Sequence, residues 1–324
     1  MPQHWYTLLV KKVKIGGVIL KSNVVLAPMA GFSDSALRYL SYSYGAGLVC
    51  TEMVSAKSLQ YGNKKSEELL CEYADIHPRA VQIFGHDPIC MAAACQNPLL
   101  AGYDIIDINM GCPTPKIVKN GDGSALISNI DLARQIIEAC VAATDKPITV
   151  KFRLGVNGDH IVAEEFAKMC EAAGAAAITV HGRMVEQGYS GRADWQAIAK
   201  VVQSVNIPVF ANGDCTDKHS YQQMLKVTGA AGVMVGRAAI GCPEIFAILQ
   251  GKNPKIDKLE QIKQHIQILG QLYAPKQVLL NMRGIACHYV KSLPNTASLR
   301  TRLCKAASID EMLSLLEEYF AKRG

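Results

Sequence analysis

Short apolar runs alternate with longer amphipathic stretches along most of this chain. The runs fall at Val24–Pro28, Gly47–Glu52, Ala80–Phe84, Asp104–Asn109, Pro147–Phe152, Ala176–His181, Pro208–Ala211 and Gly232–Val235. Several are rich in Val and Ile without clean alternation, as parallel strands buried on both faces should be. The segments between them predict helices over Ser35–Tyr44, Pro88–Ala101, Asp131–Ala143, Ile161–Ala173, Trp195–Val205 and Lys218–Val227. In the fourth of these, Val162, Phe166, Met169 and Ala173 recur on one face. Strand and helix alternating eight times over about 240 residues predict an α/β fold, a (β/α)8 TIM barrel. An open doubly wound sheet is the alternative, but no Gly-x-Gly-x-x-Gly follows the first strand.

After Pro243 the pattern changes. Gly251–Pro254 reads as a linker, and helices are predicted near Lys258–Leu272, Gln277–Val290, Ala297–Ala306 and Ile309–Lys322. The expected organisation is a barrel domain over 1–245 and a small all-helical C-terminal domain over 255–324. Charge sharpens this division. Residues 251–324 hold 12 of the 34 Lys and Arg but 6 of the 28 Asp and Glu, so the first 250 residues balance at 22 of each. The whole +6 excess lies in the helical part. A neutral body with a basic end suits an anionic polymer, although solvated helix faces would look the same.

No apolar run reaches membrane-spanning length, and the opening MPQHWYTLLVKKVKIGG lacks an apolar signal core, so a soluble cytoplasmic protein is expected. The 11 cysteines are scattered and form no Cys-x-x-Cys pair, which fits reduced thiols and gives no metal-ligand spacing.

In a barrel, reactive groups gather just past the strand ends. Here those positions carry Pro28-Met29-Ala30-Gly31, Glu52-Met53, Gln82, Asn109 with Cys112, Lys151-Phe152-Arg153, His181-Gly182-Arg183, Asn212-Gly213-Asp214 and Gly236-Arg237. Loops after the last two strands commonly hold a phosphate; Gly213 and Gly236 would expose backbone N–H groups and Arg237 adds charge. Met29 and Ala30 offer an apolar ledge for a flat ring, and Gln82 a polar group for its edge. Lys151 would stabilise negative charge on a reduced flavin, or form a structural ion pair. His181 would bind the ring edge or the phosphate side, or be a satisfied strand-end histidine.

The stretch Asp104–Ser124, DIIDINMGCPTPKIVKNGDGS, places Cys112 on a turn past a buried strand, between Gly111 and Pro113. Lys116 and Lys119 follow, and Ser128 or Asn129 would cap the next helix. Cys112 is either a small core residue or a positioned reactive group. A thiol is mostly protonated at neutral pH, so it can supply the proton that completes reduction of a carbon–carbon double bond. A nucleophilic role would need a histidine base beside it. The proton donor is the favoured reading.

These motifs together resemble the tRNA-dihydrouridine synthases. The resemblance rests on Leu26–Gly31, Gln82–Gly85, Asp107–Pro113, Lys116, Gly121–Leu126, Lys151–Gly155 and His181–Arg183. It continues through Gln187–Gly191, Ala193–Trp195, Asn212–Asp214, Gly236-Arg237 and Met282–Gly284, and covers roughly residues 20–300. It implies an FMN-binding barrel followed by a helical tRNA-binding domain. NAD(P)H would reduce FMN, which passes hydride from N5 to uracil C6, and Cys112 would protonate C5. By the same transfer Pro28, Met29 and Gln82 would contact the isoalloxazine, with Lys151 and His181 completing the flavin site. Asn212, Gly213, Asp214, Gly236 and Arg237 would lie on the ribityl-phosphate side. Asn109 would orient the uracil, and Arg183 would lie near the substrate entrance. A monomer without a metal is expected. The helical-domain motif departs from the family's Met-Arg-Lys-His: it is Met282-Arg283-Gly284-Ile285, with His288 displaced. A uracil must leave its stack to meet a flavin, and Tyr103 or Tyr189 would stack on it or pack locally. Two other readings are a small-molecule flavoenzyme resembling dihydroorotate dehydrogenase, and a non-catalytic RNA-binding barrel.

Overall fold

The computed structural model describes residues 13–158 and 161–322. Residues 1–12, most of the stretch read for a signal segment, lie outside the described residues. The fold opens with an antiparallel hairpin, β1 (Lys14–Ile15) and β2 (Val18–Ile19). Eight parallel strands follow: β3 (Val24–Leu26), β4 (Val49–Ser55), β5 (Arg79–Phe84), β6 (Ile105–Met110), β7 (Ile148–Arg153), β8 (Ala177–His181), β9 (Val209–Asn212) and β10 (Gly232–Val235). They pair in the order β3-β10-β9-β8-β7-β6-β5-β4. Two backbone hydrogen bonds close the ends of this sheet: Leu26 N–H donates to Leu48 O at 2.9 Å and Gly47 N–H to Val24 O at 2.8 Å. Gly47 is obligatory at this seam, since a Cβ there would sit 1.9 Å from Ser22 O. The result is the (β/α)8 barrel that the apolar runs predict.

The barrel has two apolar shells. Inside, Ile15 and Leu20 pack against Val25, Leu48, Cys50, Ala80, Ile105 and Phe210. The hairpin therefore plugs the end where the strands start. Outside, Ile106, Val150, Ile178, Val209 and Val233 pack against the surrounding helices. Each fully buried aliphatic side chain of this kind contributes roughly 1.5–3 kcal/mol. Two helix expectations need correction. The core face of Ala163–Ala172 is Ala163, Phe166, Ala167 and Cys170, while Val162 and Met169 are only partly buried. Phe166, common to the expected and observed faces, packs on Phe152 at 4.9 Å between ring centroids, and Ala173 of the expected face is buried as well. The helix expected over 88–101 stops at Cys95 and resumes as a 3-10 turn at Pro98–Leu100. Pro98 cannot continue the helix, and Asn97 caps the new turn by accepting from Leu99 N–H at 3.0 Å.

Four helices complete the chain, Lys258–Leu272, Pro275–Tyr289, Ala297–Lys305 and Ile309–Ala321. Their own core, including Ile262, Leu269, Met282, Ile285, Leu303 and Leu316, also takes in Ala36 and Leu40 from the barrel's first helix. A buried polar seam joins the two parts. Asp34 caps the helix Ser35–Ser43 by accepting from Leu37 N–H at 2.8 Å, and its other oxygen meets His265 at 3.2 Å. His265 in turn meets the Tyr289 hydroxyl at 3.0 Å. Gly241, at φ +70°, lets the loop after β10 touch the helical part: a Cβ there would lie 2.4 Å from Tyr289 N. No described helix is long and apolar enough to cross a membrane.

Candidate active site

A cleft of about 780 Å³ opens at the carboxyl ends of the strands. Its wall includes Pro28, Met29, Met53, Gln82, Asn109, Cys112, Lys151, His181, Asn212, Gly213, Asp214, Gly236 and Arg237. Residues from eight strand ends, far apart in sequence, thus share one cavity. Arg183 does not line it. It is 1% exposed and holds Ser190 O at 3.0 Å, Gly191 O at 2.8 Å and both Asp214 oxygens at 2.8 Å. Instead of standing at an entrance, it lies under the rim. Tyr103 is also absent from the cleft: it precedes β6, so it lies at the opposite end of the barrel, buried with its hydroxyl on Leu70 O. Tyr189 does line the cleft, and the Arg237 guanidinium lies 4.7 Å from its ring centroid.

Cys112 is held by its backbone. Its N–H donates to Asn109 Oδ1 at 2.9 Å, its carbonyl accepts from Ser124 N–H at 3.1 Å, and its thiol donates to Thr114 Oγ1 at 3.2 Å. Gly111 has no left-handed backbone; it is needed because a Cβ would crowd the Phe152 backbone at 3.2 Å. Gly123, at φ +60°, packs beneath, where a Cβ would lie 3.2 Å from Cys112 Cβ. Among the described residues no histidine is hydrogen-bonded to the thiol, so the nucleophile–base pair is not present.

Below Cys112 a chain of polar groups runs into the barrel. Asn109 Nδ2 donates to Gln82 Oε1 at 2.8 Å, and Gln82 Nε2 donates to Asp107 Oδ2 at 2.7 Å. Thr149 Oγ1 donates to the other Asp107 oxygen at 2.5 Å. Burial pushes the Asp107 carboxyl up, opposed by the bonds from Thr149 and Gln82 and by Lys151.

Lys151, Arg153 and Arg237 line the other wall, with Arg183 buried behind it. Burial, and then Arg153, pushes the Lys151 ammonium down to about 8, against Asp107. Its Nζ has no protein hydrogen-bond or ion-pair partner among the described residues. His181 is pushed down to about 2 by burial and by Lys151, Arg153, Arg183 and Arg237. It is therefore neutral, and Arg183 Nη1 approaches its Nε2 at 3.4 Å, which suits an unprotonated acceptor. Asp214 sits at φ +61° and accepts from Ala193 N–H at 2.7 Å besides Arg183, with Arg237 at 3.3 Å. Burial works against this carboxyl, but the Ala193 and Arg183 bonds win and hold it low. Asn212 donates to Met234 O at 2.8 Å, which turns its own oxygen free for a ligand.

Two features fit an FMN. One is the unpartnered Lys151 ammonium, suited to an anionic ring edge. The other is Gly236, whose Cβ would make only ordinary contacts, 3.5 Å from Met29 Sδ and 3.6 Å from Ala27 Cβ. The space beside Gly236 is open enough for a ligand to approach the backbone there. The helical part also reaches the cleft. His288 and Lys291 line it, and His288 packs edge-on against Phe32 at 5.3 Å. Both follow the motif at Met282–Gly284, whose Arg283 is committed to Ala306 O at 2.7 Å. Arg153 was an expected strand-end group and proves structural in part, donating to Gly111 O, Met184 O and Gly188 O. No local pattern marked His288 or Lys291 as cavity residues, because only the packing of the two parts brings them there.

Comparison with known proteins agrees with this geometry. A family model described as dihydrouridine synthase (Dus) matches residues 25–323. The chain is 36% identical over 320 residues to the tRNA-dihydrouridine synthase B of Pseudomonas putida, covering 96% of this chain and 95% of that protein. It is 38% identical over 321 residues to a probable tRNA-dihydrouridine synthase of Rhodobacter capsulatus, covering 96% and 98%. Among solved structures, histamine dehydrogenase from Rhizobium sp. 4-9 superposes with a TM-score of 0.61 at 14% identity, over 81% of this chain and 51% of that one. At that identity the likeness shows the fold alone. The family model spans both the barrel with its cysteine-bearing cleft and the four terminal helices: this chain belongs to the dihydrouridine synthase family.

Proposed function

We propose that the chain is an FMN-dependent tRNA-dihydrouridine synthase, driven by NADPH or NADH, that reduces the C5–C6 double bond of specific uridines. The observation that carries the reading is the single cleft shared by the Cys112 thiol, the unpartnered Lys151 ammonium and the open backbone at Gly236. The names of the curated relatives support the substrate.

Pro28, Met29 and Gln82 would hold the isoalloxazine, with Lys151 at its anionic edge. Neutral His181, Asn212, Gly213, Gly236 and Arg237 would hold the ribityl-phosphate side. Asp214 contributes there through its backbone, since its carboxylate is spent on Arg183 and Arg237. When bound, FMN supplies the hydride that goes from N5 to uracil C6. Asn109 orients the uracil, and Cys112 delivers its thiol proton to C5. Residues 1–245 form the catalytic unit in this reading, and residues 255–324, with the charge excess, grip the tRNA backbone. Lys291 stands where the two meet.

The test is direct. The purified protein should be yellow, release FMN on denaturation, and form dihydrouridine in tRNA with NAD(P)H. Mapping dihydrouridine in tRNA from cells lacking the gene should show which positions vanish. A colourless protein that leaves tRNA unmodified, or one that prefers free uracil or dihydroorotate to tRNA, would overturn the reading.

A further inference from the structure

The polar chain beneath Cys112 has a direction fixed at both ends. At the upper end Asn109 Oδ1 accepts two backbone N–H groups, from Gly111 at 3.1 Å and Cys112 at 2.9 Å. Backbone N–H groups only donate, so the Asn109 amide cannot be turned over. Its nitrogen must face Gln82 Oε1, and the Gln82 nitrogen must then face position 107. At the lower end Asp107 accepts on both oxygens, from Gln82 and from Thr149. Asp107 is 4% exposed and does not line the cleft. Gln82 and Asn109 do. Each amide nitrogen carries two hydrogens and spends one within the chain, which leaves one N–H from each for a ligand.

We infer that Asp107 is a positioning residue: it acts through Gln82 and Asn109 to make the cleft present hydrogen-bond donors to the carbonyl edges of the bound ring and of the uracil. Uracil carries acceptors at C2 and C4, whereas cytosine replaces the second with an amino donor. A donor-only amide therefore accepts the first and leaves the second unpaired. The inference rests on the flavin-dependent reading above.

Isosteric variants separate polarity from charge and packing. In D107N the new amide keeps the chain direction, because Thr149 Oγ1 can accept its nitrogen and leave its oxygen for Gln82. In T149V Asp107 still accepts from Gln82. In D107N/T149V the amide nitrogen at 107 has lost its acceptor: it is either left buried without a partner or turned over against the Gln82 nitrogen. Expected results are FMN dissociation constants, read by flavin fluorescence quenching, within about threefold of wild type for each single variant. The double variant should lose about tenfold, with a similar loss in single-turnover dihydrouridine formation. A double variant equal to the product of the two singles would overturn the inference, as would a D107N variant as damaged as the double. If the double variant does not fold, N109D provides a second route. It sets two acceptors against each other at Gln82, and adding D107N should recover the lost melting temperature, because the amide at 107 can donate to a reversed Gln82. No recovery would also overturn the inference. A wild-type protein without FMN or without tRNA reduction would instead sink the functional reading itself.

Discussion

Asp214 holds the Arg183 guanidinium with both carboxylate oxygens at 2.8 Å, and Arg183 is all but excluded from solvent. The pair ties the loop after β9 to the loop after β8, beneath the wall that carries His181. Removing one partner of a buried pair leaves an uncompensated charge. Because Asp214 is partly exposed, Asp214→Ala should cost about 2 kcal/mol rather than the larger loss of a fully buried pair. Thermal unfolding would measure it. The Asp214 carboxyl is held below its ordinary range in the folded state. Its contribution is therefore present above the unfolded aspartate range and fades as pH falls through the lower folded value. The acid limb of the stability profile should be flatter in Asp214→Asn than in the parent.

Lys151 is also lowered, but because its charged form is disfavoured rather than held. Its folded ammonium titrates near 8, below the unfolded lysine value of about 10.4. Between these limits the unfolded chain holds a proton that the folded chain has released, so stability rises with pH across that window. Below pH 8 the buried charge is a standing cost. Lys151→Met in the FMN-free protein should therefore melt higher at pH 7. The parent's affinity for FMN should weaken above pH 8, and that of the variant should start lower and not change there. A variant that melts lower would show that the ammonium is stabilising where it sits.

Cys112→Ala should retain FMN and its reduction by NADPH, and lose uridine reduction by at least about a hundredfold. Stopped-flow absorbance separates the two half-reactions. Full turnover by this variant would assign the proton to another group.

Lys291 lines the cleft from the helical side. Affinity for tRNA should fall steeply with salt, and Lys291→Ala should reduce the slope of log K against log salt by about one. An unchanged slope would place this lysine away from the phosphates.

Much of this arrangement is legible in the sequence for a definite reason. Strands buried on both faces leave unbroken apolar runs, so all eight were predictable to within a few residues, and the residues that interrupt those runs mark the cleft. Cys112 declares itself through Gly111 and Pro113. What is not legible depends on contacts between distant segments. Arg183 sits in a strand-end motif like its neighbours, and only its bonds to Gly191 and Asp214 reveal it as a support. The helix Ala163–Ala172 offers two apolar stripes that share Phe166, and only its packing in the fold shows that Ala163, Ala167 and Cys170 are buried with it. The hairpin plug uses strands of two residues, too short for any periodicity. His288 and Lys291 enter the cleft because helix Pro275–Tyr289 docks on the loop after β10, a relation that no local pattern encodes.

Gly241 gives that docking a wider meaning. With no room for even a methyl group between it and the Tyr289 backbone, and with Asp34, His265 and Tyr289 bonded in the same seam, the contacts favour two halves that hold together as one casting rather than open as a clamp. On the proposed function, a polynucleotide that approaches Cys112 would then meet an aperture of set width, and the deformation needed to pass a base through it would fall on the RNA. Which uridines are reached would then follow from how each stretch of the tRNA bends, more than from any movement of the protein.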